Sequence, residues 1–245
     1  MNIKDILTDI VTNTHSLGFL PLVKVTSDKQ ETLIESMAED RSVILLAKTE
    51  QPVAAFSGVF GMANLDKLAL HLKNPEYKEN AEITVVEAER GGVVQPVGLH
   101  FENETKDFQN DYRFMTSAII NERLKSVKFK GATWNVVIDP QQSAIARLKL
   151  QASAHNEEKV FNVRVDKSNL VISFGDAASH AGSFVFQAGI TGKLTHTWAW
   201  PVTQVLSILS LAGDKTMKFS DQGALQITVN TGIAEYNYIL PAMAK

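Results

Sequence analysis

The chain has no cysteine among its 245 residues, which removes disulfides, thiolate catalysis and cysteine-ligated zinc or iron–sulfur sites at once. It has no apolar run long enough to cross a membrane as a helix. Asp5 and Asp9 interrupt the N-terminal segment where a signal peptide needs an unbroken apolar core. A cytoplasmic protein without membrane contact is the expectation. Glycine-rich phosphate loops are missing as well: the Gly91-Gly92 pair falls between two strand-like segments, where a hairpin turn accounts for it. The six histidines, His15, His71, His100, His155, His180 and His196, form no pair at metal-binding spacing with a carboxylate, and neither HExxH nor GxSxG occurs. No catalytic residue, metal ligand or cofactor is therefore assigned, and a non-enzymatic role is expected. An active site assembled only in three dimensions has no positive support in the sequence.

A strong excess of one charge is also lacking. The formal net charge is −3, which argues against a protein that coats nucleic acid over its whole surface through many phosphate contacts. A locally basic face stays open. Residues 123–130, RLKSVKFK, hold four cations and no acid, and this run reads either as a basic patch or as a solvated connector.

What the chain does have is an ordinary globular composition, 44% hydrophobic and 21% charged, over a length that suits two domains with a core each. The N-terminal half alternates a short helix (Ile3, Ile6, Leu7, Ile10 and Val11 at helical spacing, with Asn13 and Gly18 as stop signals), short strands (20–25, 32–37, 43–48 and 54–60), a helix (61–73) and strands again (81–88, 94–102 and 107–115). The C-terminal half repeats that order: a strand at 133–138, a helix opened by Asp139-Pro140, strands at 159–165, 169–174, 182–188 and 195–200, a helix at 201–211, and a closing three-stranded meander. The domains are expected at 1–115 and 132–245, with 116–131 as connector. Trp198 and Trp200, on one face of a strand, read as core, with a stacking platform for bases or sugars as the alternative.

Two of the helices share one design. In 61–73 the apolar anchors are Leu65, Leu68 and Leu72, with Lys67 on the opposite side; in 140–154 they are Ile145, Leu148 and Ala152, with Arg147 opposite. At about 100° per residue, each cation stands roughly 200° from its first anchor. Each helix offers one face to a sheet and a basic face to something else.

Three stretches carry a family resemblance: FSGVFGMANLDKLALHLKNPEYKENAEITV (56–85), TWNVVIDPQQSAIARLKLQASAHNEEKVFNVRVDKSNLVISFGD (133–176) and WPVTQVLSILSLAGDKTMKFSDQGALQITVN (200–230). With these elements in place, the chain resembles the DNA sliding clamps, most closely those of T4-like bacteriophages. The resemblance implies an α+β, two-domain clamp fold, each domain with two helices packed on antiparallel sheets, closing as a homotrimeric ring. Double-stranded DNA would thread the ring without being read in sequence, and the clamp would tether a DNA polymerase after opening by an ATP-driven clamp loader. It further implies inward basic positions at Lys67 and Arg147, then Lys4, His71, Lys73 and Lys149. Asp5 and Asp9 on the first helix dilute that charge, and Lys215, Lys218 or the connector cations are further sources. Ring closure by strand addition would use edges near 112–114 and 182–187. Peptide tails of partners would dock in an apolar pocket beside the connector, for which Leu124, Val127 and Phe129 with Leu240, Pro241 and Met243 are the candidate lining; packing of the connector onto the sheet is the equal alternative. A β-rich viral structural protein that threads no DNA is the competing class.

Overall fold

The computed structural model describes residues 2–78, 81–90, 92–125, 129–176, 178 and 180–243. It divides into two compact units, one of Met1–Lys128 with Thr231–Tyr236 and one of Phe129–Asn230 with Asn237–Lys245.

The first unit opens with α1 (Ile3–Asn13), whose N-terminus is capped by Asn2, the side chain accepting from the Lys4 N–H at 3.0 Å. Ile6, Leu7, Ile10 and Val11 fall on one stripe and are buried. An antiparallel sheet follows in the order β4-β1-β2-β3, from β1 (Val23–Ser27), β2 (Thr32–Met37), β3 (Ile44–Thr49) and β4 (Gly58–Met62). Burial alternates along β1 and β2, so Val23, Val25 and Ile34 face the core. Next come α2 (Leu65–Lys73), packed against α1, and a second antiparallel sheet of β5 (Glu82–Arg90), β6 (Val93–Glu102) and β7 (Gln109–Arg113), with β7 at one edge.

The other side of the first sheet is covered by α3 (Ser117–Arg123). Ile120 and Leu124 are buried there against Leu22, Met37, Ile44, Leu46, Val59 and Met115. This helix lies inside the segment expected to be a plain connector. Its buried stripe is only Ile120 and Leu124, one turn apart, with Ile119 exposed beside them, too short a pattern for periodicity to register.

The second unit repeats the plan. Strand β8 (Val136–Ile138) leads into α4 (Gln142–Ala154), and β9 (Val160–Asp166), β10 (Asn169–Phe174), β11 (Gly182–Gln187) and β12 (Trp198–Pro201) form an antiparallel sheet in the order β11-β10-β9-β12. Lys167 and Ser168 both have positive φ in the β9–β10 turn, the geometry that two-residue hairpins favour. Helix α5 (Val202–Leu209) packs on α4. Strands β13 (Asp214–Ser220) and β14 (Ala224–Asn230) pair with each other, β13 also pairs with β8, and β15 (Ala234–Pro241) is divided between the units at residue 236. Trp200 is fully buried and its indole N–H donates to the Leu240 carbonyl at 3.3 Å, which makes it core; Trp198 is half-buried.

Three sequence expectations shift. The helix expected from Gly61 starts at Leu65, because Gly61 and Met62 are paired with Lys24 and Val23 across β4 and β1. Asp139 does not cap α4: Gln141 holds that position, and the Asp139 carboxylate accepts from the Thr216 hydroxyl at 2.8 Å. Asp9 does not add to the outward charge of α1. Its carboxylate turns inward and accepts from the Tyr236 hydroxyl at 2.8 Å and the Thr231 hydroxyl at 3.1 Å, fastening α1 to the 231–236 segment of its own unit.

Burial raises the Asp9 carboxyl above its ordinary range, and the Tyr236 and Thr231 hydrogen bonds oppose that shift without cancelling it. The folded chain therefore binds this proton more tightly than the unfolded chain, and ionisation costs stability as pH rises through the raised value. Asp9→Asn keeps an acceptor for both hydroxyls and removes the charge. It should raise the urea midpoint at neutral pH and match the wild type once Asp9 is protonated in acid; a lower midpoint at neutral pH would contradict the assignment.

Gly61 is a second sensitive point, since a Cβ there would meet the Ile120 side chain at 2.8 Å. Gly61→Ala should cost about 1–3 kcal/mol by urea unfolding, the usual penalty of overpacking. Adding Ile120→Ala should cost less in that background than in the wild type, which a double-mutant cycle would detect.

Candidate nucleic-acid interface

In the first unit the basic face belongs to α2. The chain enters it through Asn64 in left-handed backbone, with Asp66 in the first turn and His71 and Lys73 in the last, an arrangement that suits the helix dipole. Leu65, Leu68 and Leu72 are buried, each contributing about 1.5–3 kcal/mol by removal from water. That stripe fixes the rotation of the helix, and Lys67 and Lys73 stand exposed with no ion pair among the described residues. His71 is half-buried, with its ring tilted against Phe101 at 5.2 Å between centroids. Burial, and then the charge of Lys67, push its pKa below the ordinary histidine value, so it is neutral at physiological pH and adds no charge to this face. Lys4 is half-buried, and its ammonium donates to the neutral backbone carbonyls of Tyr77 and Lys78, which tie α1 to the turn that follows α2 and hold this cation in place without cancelling its charge.

In the second unit Ala144, Ile145 and Leu148 anchor α4, and Ala152 is half-buried. Arg147 is exposed on the opposite side. Its guanidinium lies 5.1 Å from the Phe184 ring centroid, and Nη1 donates to the Val185 carbonyl at 3.4 Å, so the edge strand β11 holds it in place. Neither partner carries charge, and the cation keeps its field. Lys149, two residues on and so about 200° round the helix from Arg147, is also exposed. Lys215, on β13, is half-buried and donates to the Gly213 carbonyl at 2.9 Å; burial, with a further contribution from Lys149, lowers its pKa. Lys218 is half-buried on the same strand.

The other two helices hold one cation between them, the half-buried Lys4 of α1. The outward face of α1 presents Asp5, Thr8 and Thr12, and that of α5 Thr203 with Ser207 beside it. Each unit thus offers one helix with a basic face, beside a mixed face on α1 that carries the Asp5 carboxylate and a hydroxyl face on α5. These faces can neutralise phosphates and make adaptable polar contacts, and they carry no array for reading base edges.

The partner-site candidates fall in both units. In the first, Leu124 is buried and lines a groove of about 520 Å³ together with Leu22, Met37 and Ala38, rimmed by Arg41, Glu122, Arg123 and Lys125. Val127 lies outside the described residues. In the second, Phe129 is half-buried, with its ring 6.1 Å from that of Trp134; Leu240 is fully buried, Pro241 is exposed, and Met243 is 44% exposed with its N–H donating to Ala199 at 2.8 Å. Among the described residues no group of His, Asp and Glu side chains could hold a metal ion, and no helix is long and apolar enough to cross a membrane.

Sequence comparison finds no match: no family model fits the chain, and no curated protein is similar to it. Comparison of folds is informative. The structure of A. fulgidus PCNA bound to the C-terminal region of FEN-1 matches with a TM-score of 0.70 at 12% identity, over 99% of this chain and 96% of that one. PCNA from Thermococcus kodakaraensis matches with a TM-score of 0.69 at 12% identity, over 99% of this chain and 98% of that one. The likeness spans both units, and the chain accordingly has the α+β, two-domain clamp fold of PCNA.

Proposed function

We propose that this protein is a DNA sliding clamp: three copies close into a ring, a duplex passes through it, and a DNA polymerase is tethered to its template by the ring. The observation that carries this reading is the duplicated helix, α2 and α4, with an apolar stripe buried in its own unit and Lys67 or Arg147 standing exposed opposite. Cations placed this way attract phosphates without choosing a sequence, as an encircling protein requires. Strands β7 and β11 each leave one side of their sheet unpaired, which supports ring closure by strand addition between copies.

A closed ring needs an ATP-driven loader to open it, and the clamp itself acts as a scaffold and not as an enzyme. The A. fulgidus PCNA structure holds the C-terminal region of FEN-1, and by analogy partner tails would dock near the connector; the groove lined by Leu124 in the first unit is the candidate the geometry supports, whereas Leu240 is fully buried and leaves the candidate set. The stretches 56–85, 133–176 and 200–230 favour a clamp of the T4-like phage kind, working in the host cytoplasm.

Loading on nicked circular DNA tests the reading. A clamp stays on the circle in high salt and leaves after the circle is cut, whereas a viral structural protein shows no dependence on DNA topology. Replacing Lys67 and Arg147 together by Ala should leave the trimer intact by light scattering and lower loading and processive synthesis several-fold. Full processivity in the double variant would remove both residues from the duplex-facing surface.

A further inference from the structure

Leu70 and Leu150 are the most exposed large apolar side chains among the described residues, at 69% and 71% of their surface. A single exposed leucine needs no explanation. These two occupy the same place in the duplicated helices. Leu70 follows the first anchor Leu65 by five residues and the cation Lys67 by three; Leu150 follows Ile145 by five and Arg147 by three. At about 100° per residue, each leucine lies about 140° from its anchor and about 60° from its cation, on the outward face and one turn further along.

Neither leucine contributes to its own core, since Leu65, Leu68 and Leu72 fill that role in α2 and Ala144, Ile145 and Leu148 in α4. Around Leu70 the exposed residues are Lys67 and Lys73, three before and three after it, and Asp66 four before it; beside Leu150 Arg147 stands three residues before, with Lys149 about 100° further round, so cations outnumber acids on both faces. A leucine there offers a phosphate neither charge nor hydrogen bond. Each cation that neutralises a phosphate releases counterions and deepens the hold on the duplex. A ring kept on DNA by topology gains nothing from that depth and is slowed by it.

We propose that Leu70 and Leu150 are low-adhesion contacts with the DNA backbone, apolar spacers beside each cation that limit the number of phosphates gripped and so keep the clamp mobile. The proposal rests on the clamp reading. The occupant of both faces is duplex DNA, chosen because exposed cations stand beside each leucine and complement the phosphate backbone.

The test measures one-dimensional diffusion of the labelled full-length protein after loading on DNA, across a range of salt, for the wild type, Leu70→Lys/Leu150→Lys and Leu70→Gln/Leu150→Gln. Lysine and glutamine both suit a helix surface, so folding is preserved and charge is isolated. The lysine variant should diffuse several-fold more slowly at low salt, with its affinity for linear duplex steepened by about 0.9 in log–log salt slope for each added contact. The glutamine variant should stay close to the wild type. Equal diffusion and salt slope in the lysine variant and the wild type, with both retained on circles, would overturn the spacer role and leave the clamp reading standing. Dissociation of the glutamine variant into monomers would instead make the leucines contacts between copies and also overturn it. A wild type that is not retained on circular DNA would remove the clamp reading itself.

Discussion

The direction of two side chains depends on how two helices are seated. Leu65, Leu68 and Leu72 in α2, and Ala144, Ile145 and Leu148 in α4, leave water by packing into their own units, and a helix pinned along one stripe has no freedom to rotate. Lys67 and Arg147 point outward because of contacts made by other residues on the opposite side. The anchoring is worth several kilocalories per helix, far more than an exposed cation gains from water or from a neighbouring acid. Any functional use of these charges is built on that burial.

The electrostatics around the two helices are restrained. His71 is kept neutral by burial, Lys4 is occupied by backbone carbonyls, and Arg147 is steadied by an aromatic ring and one carbonyl. Asp9, which a reading of α1 alone places among the exposed charges, is withdrawn into a hydrogen-bonded site with Tyr236 and Thr231. The cations left standing free on the helix faces are few, and leucines and hydroxyls lie between them. Such a surface suits weak, unspecific contact better than tight binding.

Much of the fold was legible in the sequence because long periodic segments speak clearly. The leucine spacing of α2, the extents of β2, β10 and β14 and the tight turn ending at Ser168 follow from local pattern and turn chemistry. Boundaries set by partners did not follow: Gly61 and Met62 belong to a strand because of β1, and Asp139 leaves the start of α4 for Thr216. Helix α3 was hidden because its whole tertiary signal is Ile120 and Leu124. In the candidate site, the outward positions of Lys67 and Arg147 could be read from helical angle alone. The fates of Lys4, Asp9 and His71 could not, because each depends on a residue distant in the chain, namely Tyr77, Tyr236 and Phe101. Leu70 and Leu150 are legible on the same helical wheel, as apolar residues that fall off the buried stripe.

The central claim is that the basic faces of α2 and α4 look onto a duplex enclosed by copies of this chain. Electron cryo-microscopy of the protein loaded on DNA addresses it most directly. The account predicts a closed ring of three copies with the duplex inside it and Lys67 and Arg147 within reach of the phosphates. Particles without a central opening, or rings that carry both cations on their outer wall, would contradict it.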